Sequence, residues 1–330
     1  MAMPITLAFS TAAVGPALVL VFCVSQAFRD VYFGHVFQGV DFFAVVLLAF
    51  LLSTVLFTAV TALRTPDQFR KMNGHFRTIV AMNLTTAVAW SCYFYGLTHI
   101  EPSIVNTLHS GMGPLTVVAL AAFGVPLAQT DLTRPGTMRW SEYFGYAGMA
   151  LSLIGLWWVV LSDSSGLAGA SPTTNLLGLA LLLVSGSMIT ISLLYAKRLH
   201  DAGIGAEAVT SIRYIALVLL AAMVLFSKGR LPGIETPVAL MTLSVVATIL
   251  IVLPLFALQV GIARTAPLTA HVLRSLGPVF VFACEQLDGR TSYSAPTLFC
   301  ILAYSAAAIA SNVARGWPDK RAGALLPAPS

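Results

Sequence analysis

The sequence predicts an all-α polytopic membrane protein of ten transmembrane helices, built as two inverted-topology five-helix repeats. Three observations carry that expectation. Only 9% of the residues are charged and 58% are hydrophobic, with a mean hydropathy of +0.86, whereas a soluble chain carries about 25% charge. Apolar runs of near-spanning length recur along the whole chain, without the strict alternation of a β-barrel strand. And the chain repeats itself: Gly96–Pro102 followed by Leu108-His-Ser-Gly-Met-Gly-Pro114 returns as Gly261–Pro267 followed by Leu273-Arg-Ser-Leu-Gly-Pro278. A repeated, proline-interrupted helix pair is the usual pointer to a carrier's binding site.

Taken in order, the spans fall at 5–28, 41–63, 77–99, 102–125, 141–162, 174–197, 206–227, 236–262, 267–286 and 293–314. The first lacks the basic lead of a cleaved signal, so it is expected to stay as a helix. The third and fourth, like the eighth and ninth, join through very short turns, and Pro102 and Pro267 suit a first helical position, which needs no amide donor. The long polar connections are Arg64–His75 and Gln129–Trp140. Residues 1–162 form the first repeat, 163–173 a loose outer linker, 174–314 the second repeat, and 315–330 a Pro/Ala-rich tail expected to be disordered.

With the N-terminus inside, twelve basic residues fall on inner connections and the tail, while Arg29, Lys228, Arg230 and Arg290 fall outside. That asymmetry predicts cytoplasmic termini in an inner cell membrane. Five is odd, so two five-helix halves insert with opposite orientation. The positive-inside rule also accounts for the net charge of +5, and nucleic acid is not expected as a partner. The expected partners are the bilayer and a small-molecule substrate.

The residues able to carry chemistry lie inside the spans. Pro114 and Pro278 lack an amide hydrogen and free the carbonyls of Ser110 and Arg274 near mid-bilayer. Those carbonyls must face protein, water or a ligand, although a plain packing kink is the competing reading. Arg274 lies about 10 Å into its helix and Arg213 at similar depth. No carboxylate in any span sits near that depth, so an anionic group supplied by substrate is expected. The competing reading is snorkelling to inner headgroups. Glu285, about three turns along the same stripe as Arg274, is a gating or proton-coupling candidate, or an interfacial carboxylate.

Asn106, His109 and Ser110 share one face of the fourth span. His109 is read as a proton relay or substrate ligand, or as a structural histidine; His271 has the same two readings. Asn83, Trp90 and Tyr93 line the third span as a mixed polar and aromatic wall suited to an organic solute, or to core packing. Gly148 and Ser152, with the Ser305–Ser311 run, permit close packing and suit scaffold or a homodimer face. Cys23, Cys92, Cys284 and Cys300 have no paired spacing and read as small apolar residues. No metalloprotease, hydrolase, Walker or Cys-x-x-Cys pattern is present. No enzyme activity, cofactor or metal is therefore expected.

The segments Tyr95-Gly-Leu … Pro102 … Gly-Pro114 and Ala257-Leu-Gln … Ala266-Pro267 … Gly-Pro278, with the topology, resemble the drug/metabolite transporter superfamily, EamA type. The resemblance spans roughly 5–314. The chain departs from the family's Gly-Glu pair after the fourth and ninth helices, reading Phe123-Gly-Val125-Pro and Leu287-Asp-Gly-Arg290 instead. The resemblance implies a secondary carrier, most often an exporter of amino acids or other small metabolites. It also implies a cavity lined by helices 3, 4, 8 and 9, with parts of 1, 6 and 7. The expectation is thus an alternating-access exporter of an amino acid or other carboxylate-bearing solute. A flippase of a lipid-linked intermediate and a membrane-embedded enzyme are the alternatives.

Overall fold

The computed structural model describes residues 11–123, 140–167, 171–229, 237–265 and 267–316. Among these the chain is helical throughout, without strands. The helices are α1 (Thr11–Val36), α2 (Phe42–Arg64), α3 (Asp67–Met72), α4 (Phe76–His99), α5 (Pro102–Ala122), α6 (Trp140–Leu161) and α7 (Pro172–Asp201). They continue as α8 (Ala206–Arg213), α9 (Ile215–Lys228), α10 (Pro237–Ala263), α11 (Pro267–Ser275), α12 (Gly277–Glu285) and α13 (Ala295–Gly316). Among the described residues, seven stretches are long and apolar enough to cross a membrane: α1, α2, α5, α6, α7, α8 with α9, and α13. Large apolar side chains such as Leu63, Phe144, Trp158, Phe226 and Phe299 project outward from them. Water does not tolerate so many, and hydrocarbon does. This is a polytopic α-helical membrane protein.

The helix bounds follow the predicted stretches, with four differences. α1 runs to Val36 rather than ending at residue 28. It continues through Arg29 and Asp30 because these neutralise each other, and Arg29 is therefore no part of an outer connection. Second, the Arg64–His75 connection contains α3, a short helix with an exposed Asp67–Lys71 pair at i,i+4, followed by a 3-10 turn at Asn73–His75. Third, the seventh and ninth stretches are each two helices, interrupted at Tyr214 and Leu276. Fourth, the linker is tied down where it is described. The Gly166 amide donates to Glu101, and its carbonyl accepts from the Ser292 amide at 2.8 Å. The predicted tail from Trp317 onward, the N-terminal ten residues and most of the Gln129–Trp140 connection lie outside the described residues.

Packing is pairwise. α1 lies along α10, α4 along α7, α6 along α13, and α5 on α12, while α2 lies against α8 and α9. Glycine permits the tightest of these approaches. A Cβ on Gly186 of α7 would press into the backbone carbonyl of His109, and one on Gly145 of α6 would meet Ser311 of α13. Gly148 likewise faces Ala307. The small residues expected to suit a dimer face are thus engaged within the chain.

The two Gly-Pro copies behave differently. α5 carries Pro114 inside a continuous helix. At Pro278 the chain breaks, with Leu276 between α11 and α12. The carbonyls at that break find partners on other helices. The Ser305 hydroxyl of α13 donates to the Ser275 carbonyl at 2.9 Å, and the Cys23 thiol of α1 donates to the Leu273 carbonyl at 3.6 Å.

Candidate binding site

Where α1, α4 and α5 meet, three side chains close on one carboxylate. Arg29 donates from Nε and Nη2 to Asp30 Oδ1 at 2.8 and 2.6 Å. The Tyr93 hydroxyl donates to Asp30 Oδ2 at 2.6 Å, and Asn106 Nδ2 donates to the same oxygen at 2.8 Å. Arg29 also reaches the Tyr93 hydroxyl at 3.3 Å. Its guanidinium lies 5.3 Å from the Trp90 ring centre and 5.6 Å from that of Tyr93. Arg29 is 3% exposed and Asp30 is fully buried, a setting in which an ion pair persists only if its remaining hydrogen-bonding positions are filled. Those of Asp30 are filled here, and aromatic faces cover the guanidinium. Phe50 and Tyr214 extend the aromatic wall on the far side of Trp90.

Trp90, Tyr93 and Asn106, predicted from sequence as solute contacts, are thus brought together, but around Asp30. Sequence reasoning missed Arg29 and Asp30. The signal available was weak: two adjacent charges at the end of an apolar run look like the start of a loop.

His109 stands next to this cluster. Its ring packs edge-to-face on Tyr93 at 4.6 Å, and its Nδ1 lies 2.9 Å from Ser185 Oγ. The Ser185 hydroxyl already donates to the Ala89 carbonyl at 2.7 Å. Its oxygen can therefore only accept from His109, which assigns the proton to Nδ1 and leaves Nε2 as the open position in the neutral ring. Ser110 and Pro114 lie half-buried further along α5.

Arg274, the last but one residue of α11, is half-buried and lies within electrostatic range of His109, Cys23 and Tyr304. Those three neighbours belong to α5, α1 and α13. Among the described residues Arg274 has neither an ion-pair partner nor a hydrogen bond. Arg213 turns inward: it donates to Ser192 Oγ of α7 at 3.2 Å and to Thr86 Oγ1 of α4 at 3.5 Å. Those hydroxyls are 2.5 Å apart. No described carboxylate meets Arg213 either.

Three predicted residues stand apart. Asn83 is engaged by backbone: its Nδ2 donates to the Ile79 carbonyl at 3.0 Å and its Oδ1 accepts the Ala216 amide at 3.1 Å. It caps the start of α9 after the break at Tyr214, a structural duty that engages both its nitrogen and its oxygen. The His271 side chain lies outside the described part of α11. Glu285, at the end of α12, is fully buried and hydrogen-bonded to the carboxyl of Glu101, which precedes α5. A hydrogen bond between two carboxyl groups contains a proton. The Ser103 amide donates to Glu285 Oε2 at 3.0 Å, and the Ser103 hydroxyl lies 2.7 Å from Glu285 Oε1 and 3.0 Å from Glu101 Oε1. The Gly166 amide reaches Glu101 Oε2 at 2.7 Å. Glu285 is therefore no interfacial carboxylate; it ties α12 to the start of α5.

No family model and no curated protein matches the chain. Eight solved protein chains are similar to it. One of them, named only "Crystal structure of protein", superposes with a TM-score of 0.59 at 17% identity, covering 92% of this chain and 96% of its own. At that identity the likeness concerns the fold alone.

Proposed function

We propose that this protein is a secondary transporter of a small, carboxylate-bearing organic solute, working by alternating access as the drug/metabolite transporters do. The observation that carries the reading is Arg274. A guanidinium deep in a membrane protein costs about 2.5–3.5 kcal/mol or more unless something compensates it. Arg29 has Asp30; Arg274 has no described partner, and sits at a helix break within electrostatic range of groups on α1, α5 and α13. An anionic group on the solute would complete it.

The packing supports the inverted repeat. Reading α1, α2, α4, α5 and α6 as spans one to five, the second half supplies six to ten as α7, α8–α9, α10, α11–α12 and α13. Exchanging each span with its counterpart five places on turns the α1–α10 pair into the α7–α4 pair. The α5–α12, α6–α13 and α2–α8/α9 pairs each map onto themselves. That pattern fits a pseudo-twofold relation between the halves, and five spans in each half would put its axis in the membrane plane. With Arg29 removed from the outer side, only Lys228, Arg230 and Arg290 remain there against twelve basic residues inside, which favours cytoplasmic termini. Export is the direction that the family resemblance suggests.

A thermal-unfolding screen of the purified protein against amino acids, nucleosides and organic acids, followed by uptake in proteoliposomes, tests the reading. A stabilising solute whose effect disappears in Arg274→Ala is the expected result. A solute bound and transported equally well by that variant would remove Arg274 from the site.

A further inference from the structure

We infer that the solute is a net anion without an ammonium group, an organic acid rather than an amino acid. This rests on the transporter reading above and narrows it.

The argument is a balance of charge around the centre. Arg29 and Arg274 both lie within electrostatic range of His109, and Arg29 and Arg213 both lie within range of Tyr214. Arg29 and Arg274 thus act on one histidine, Arg213 bonds to Thr86 on the same α4 that carries Tyr93, and Asp30 is the one carboxylate bonded there among the described residues, leaving an excess of two positive charges. An amino acid brings no net charge to offset that excess. An organic acid does.

An ammonium group would also need a carboxylate to pair with, and among the described residues none is open. A carboxylate offers about four acceptor positions. Asp30 fills two at Oδ1 with Arg29 and two at Oδ2 with Tyr93 and Asn106. The aromatic faces that can hold a cation, those of Trp90 and Tyr93, already hold Arg29. The other buried acids, Glu101 and Glu285, are closed by Ser103 and Gly166. Glu285 also lies eleven residues beyond Arg274 on the α11–α12 path, about 16 Å at helical rise. An ammonium at the centre would lose its water, gain no carboxylate and face the arginines.

The test uses matched pairs that differ only in the amino group: 3-phenylpropionate with phenylalanine, 4-methylpentanoate with leucine, and glutarate with glutamate. The detergent-purified full-length protein is titrated with each, reading thermal unfolding, and uptake is read in proteoliposomes. In at least one pair the acid should bind about tenfold or more tighter than its amino acid, a difference of about 1.4 kcal/mol. Its effect should be lost in Arg274→Gln and largely retained in Arg274→Lys, which keeps the charge and guards against a folding defect. An amino acid that binds as well as or better than its deaminated partner overturns the inference and leaves the transporter reading standing. Silence from every member of every pair, in both unfolding and uptake, overturns both.

Discussion

Two arginines act on the same histidine and are held in opposite ways. Arg29 is 3% exposed, bonded twice to Asp30, and capped by two aromatic rings. Arg274 is half-buried and unpaired among the described residues, at a place where its own helix is interrupted. The first arrangement is complete without a ligand and joins α1 to α4 and α5. The second has no described partner, and the proposed anion site rests on that difference. A buried charge that is already paired argues for structure; one without a described partner is the better candidate for a ligand.

The largest effect should come from breaking the complete pair. Asp30→Ala leaves Arg29 buried and uncompensated, which costs about 3–5 kcal/mol, and should show as a large fall in the unfolding midpoint. An unchanged midpoint would mean that Arg29 is not held as described. Next, Arg274→Ala should leave the unfolding midpoint nearly where it is while reducing transport by about tenfold or more. If instead the variant unfolds early, Arg274 is structural and the contrast collapses.

Smaller effects sharpen the comparison elsewhere. Glu285→Gln keeps an N–H donor toward Glu101 and should change stability by less than about 1 kcal/mol, whereas Glu285→Ala should cost about 1–3 kcal/mol by leaving Ser103 and Glu101 short of partners. Equal losses in chemical or thermal unfolding would argue against a proton between the two carboxyls. Smallest, Asn83→Ala should cost about 1 kcal/mol through the unpaired Ala216 amide, and leave the concentration dependence of uptake unchanged. A shift in that dependence would return Asn83 to the solute.

The helices were readable from sequence because burial in lipid demands long apolar runs, and most ends carry visible signals such as Pro102, Pro267 and Pro172. The break at Leu276 was signalled by Gly277-Pro278. The break at Tyr214 was not, since neither proline nor glycine marks it and Asn83 supplies its cap from another helix. The site was half legible. Trp90, Tyr93, Asn106 and His109 stood out as polar or aromatic residues at helical spacing. Their common partner did not, because Tyr93 and Asn106 lie 63 and 76 residues from Asp30, and no local pattern encodes that meeting. Glu101 escaped for the same reason: its link to Glu285 spans two halves of the chain.

The adjacency of Arg29 and Asp30 also bears on how the chain enters the bilayer. α1 is made before α2, α4 and α5, so its partners Tyr93 and Asn106 follow only as the second and third of these apolar stretches are synthesised. A lone arginine or aspartate at that depth would resist insertion during the wait. Because the two charges sit side by side on one helix, α1 brings its own counter-ion and can partition as a nearly neutral segment. Tyr93 and Asn106 then meet an existing ion pair on assembly, and the order of synthesis never exposes the membrane to an isolated charge from this cluster.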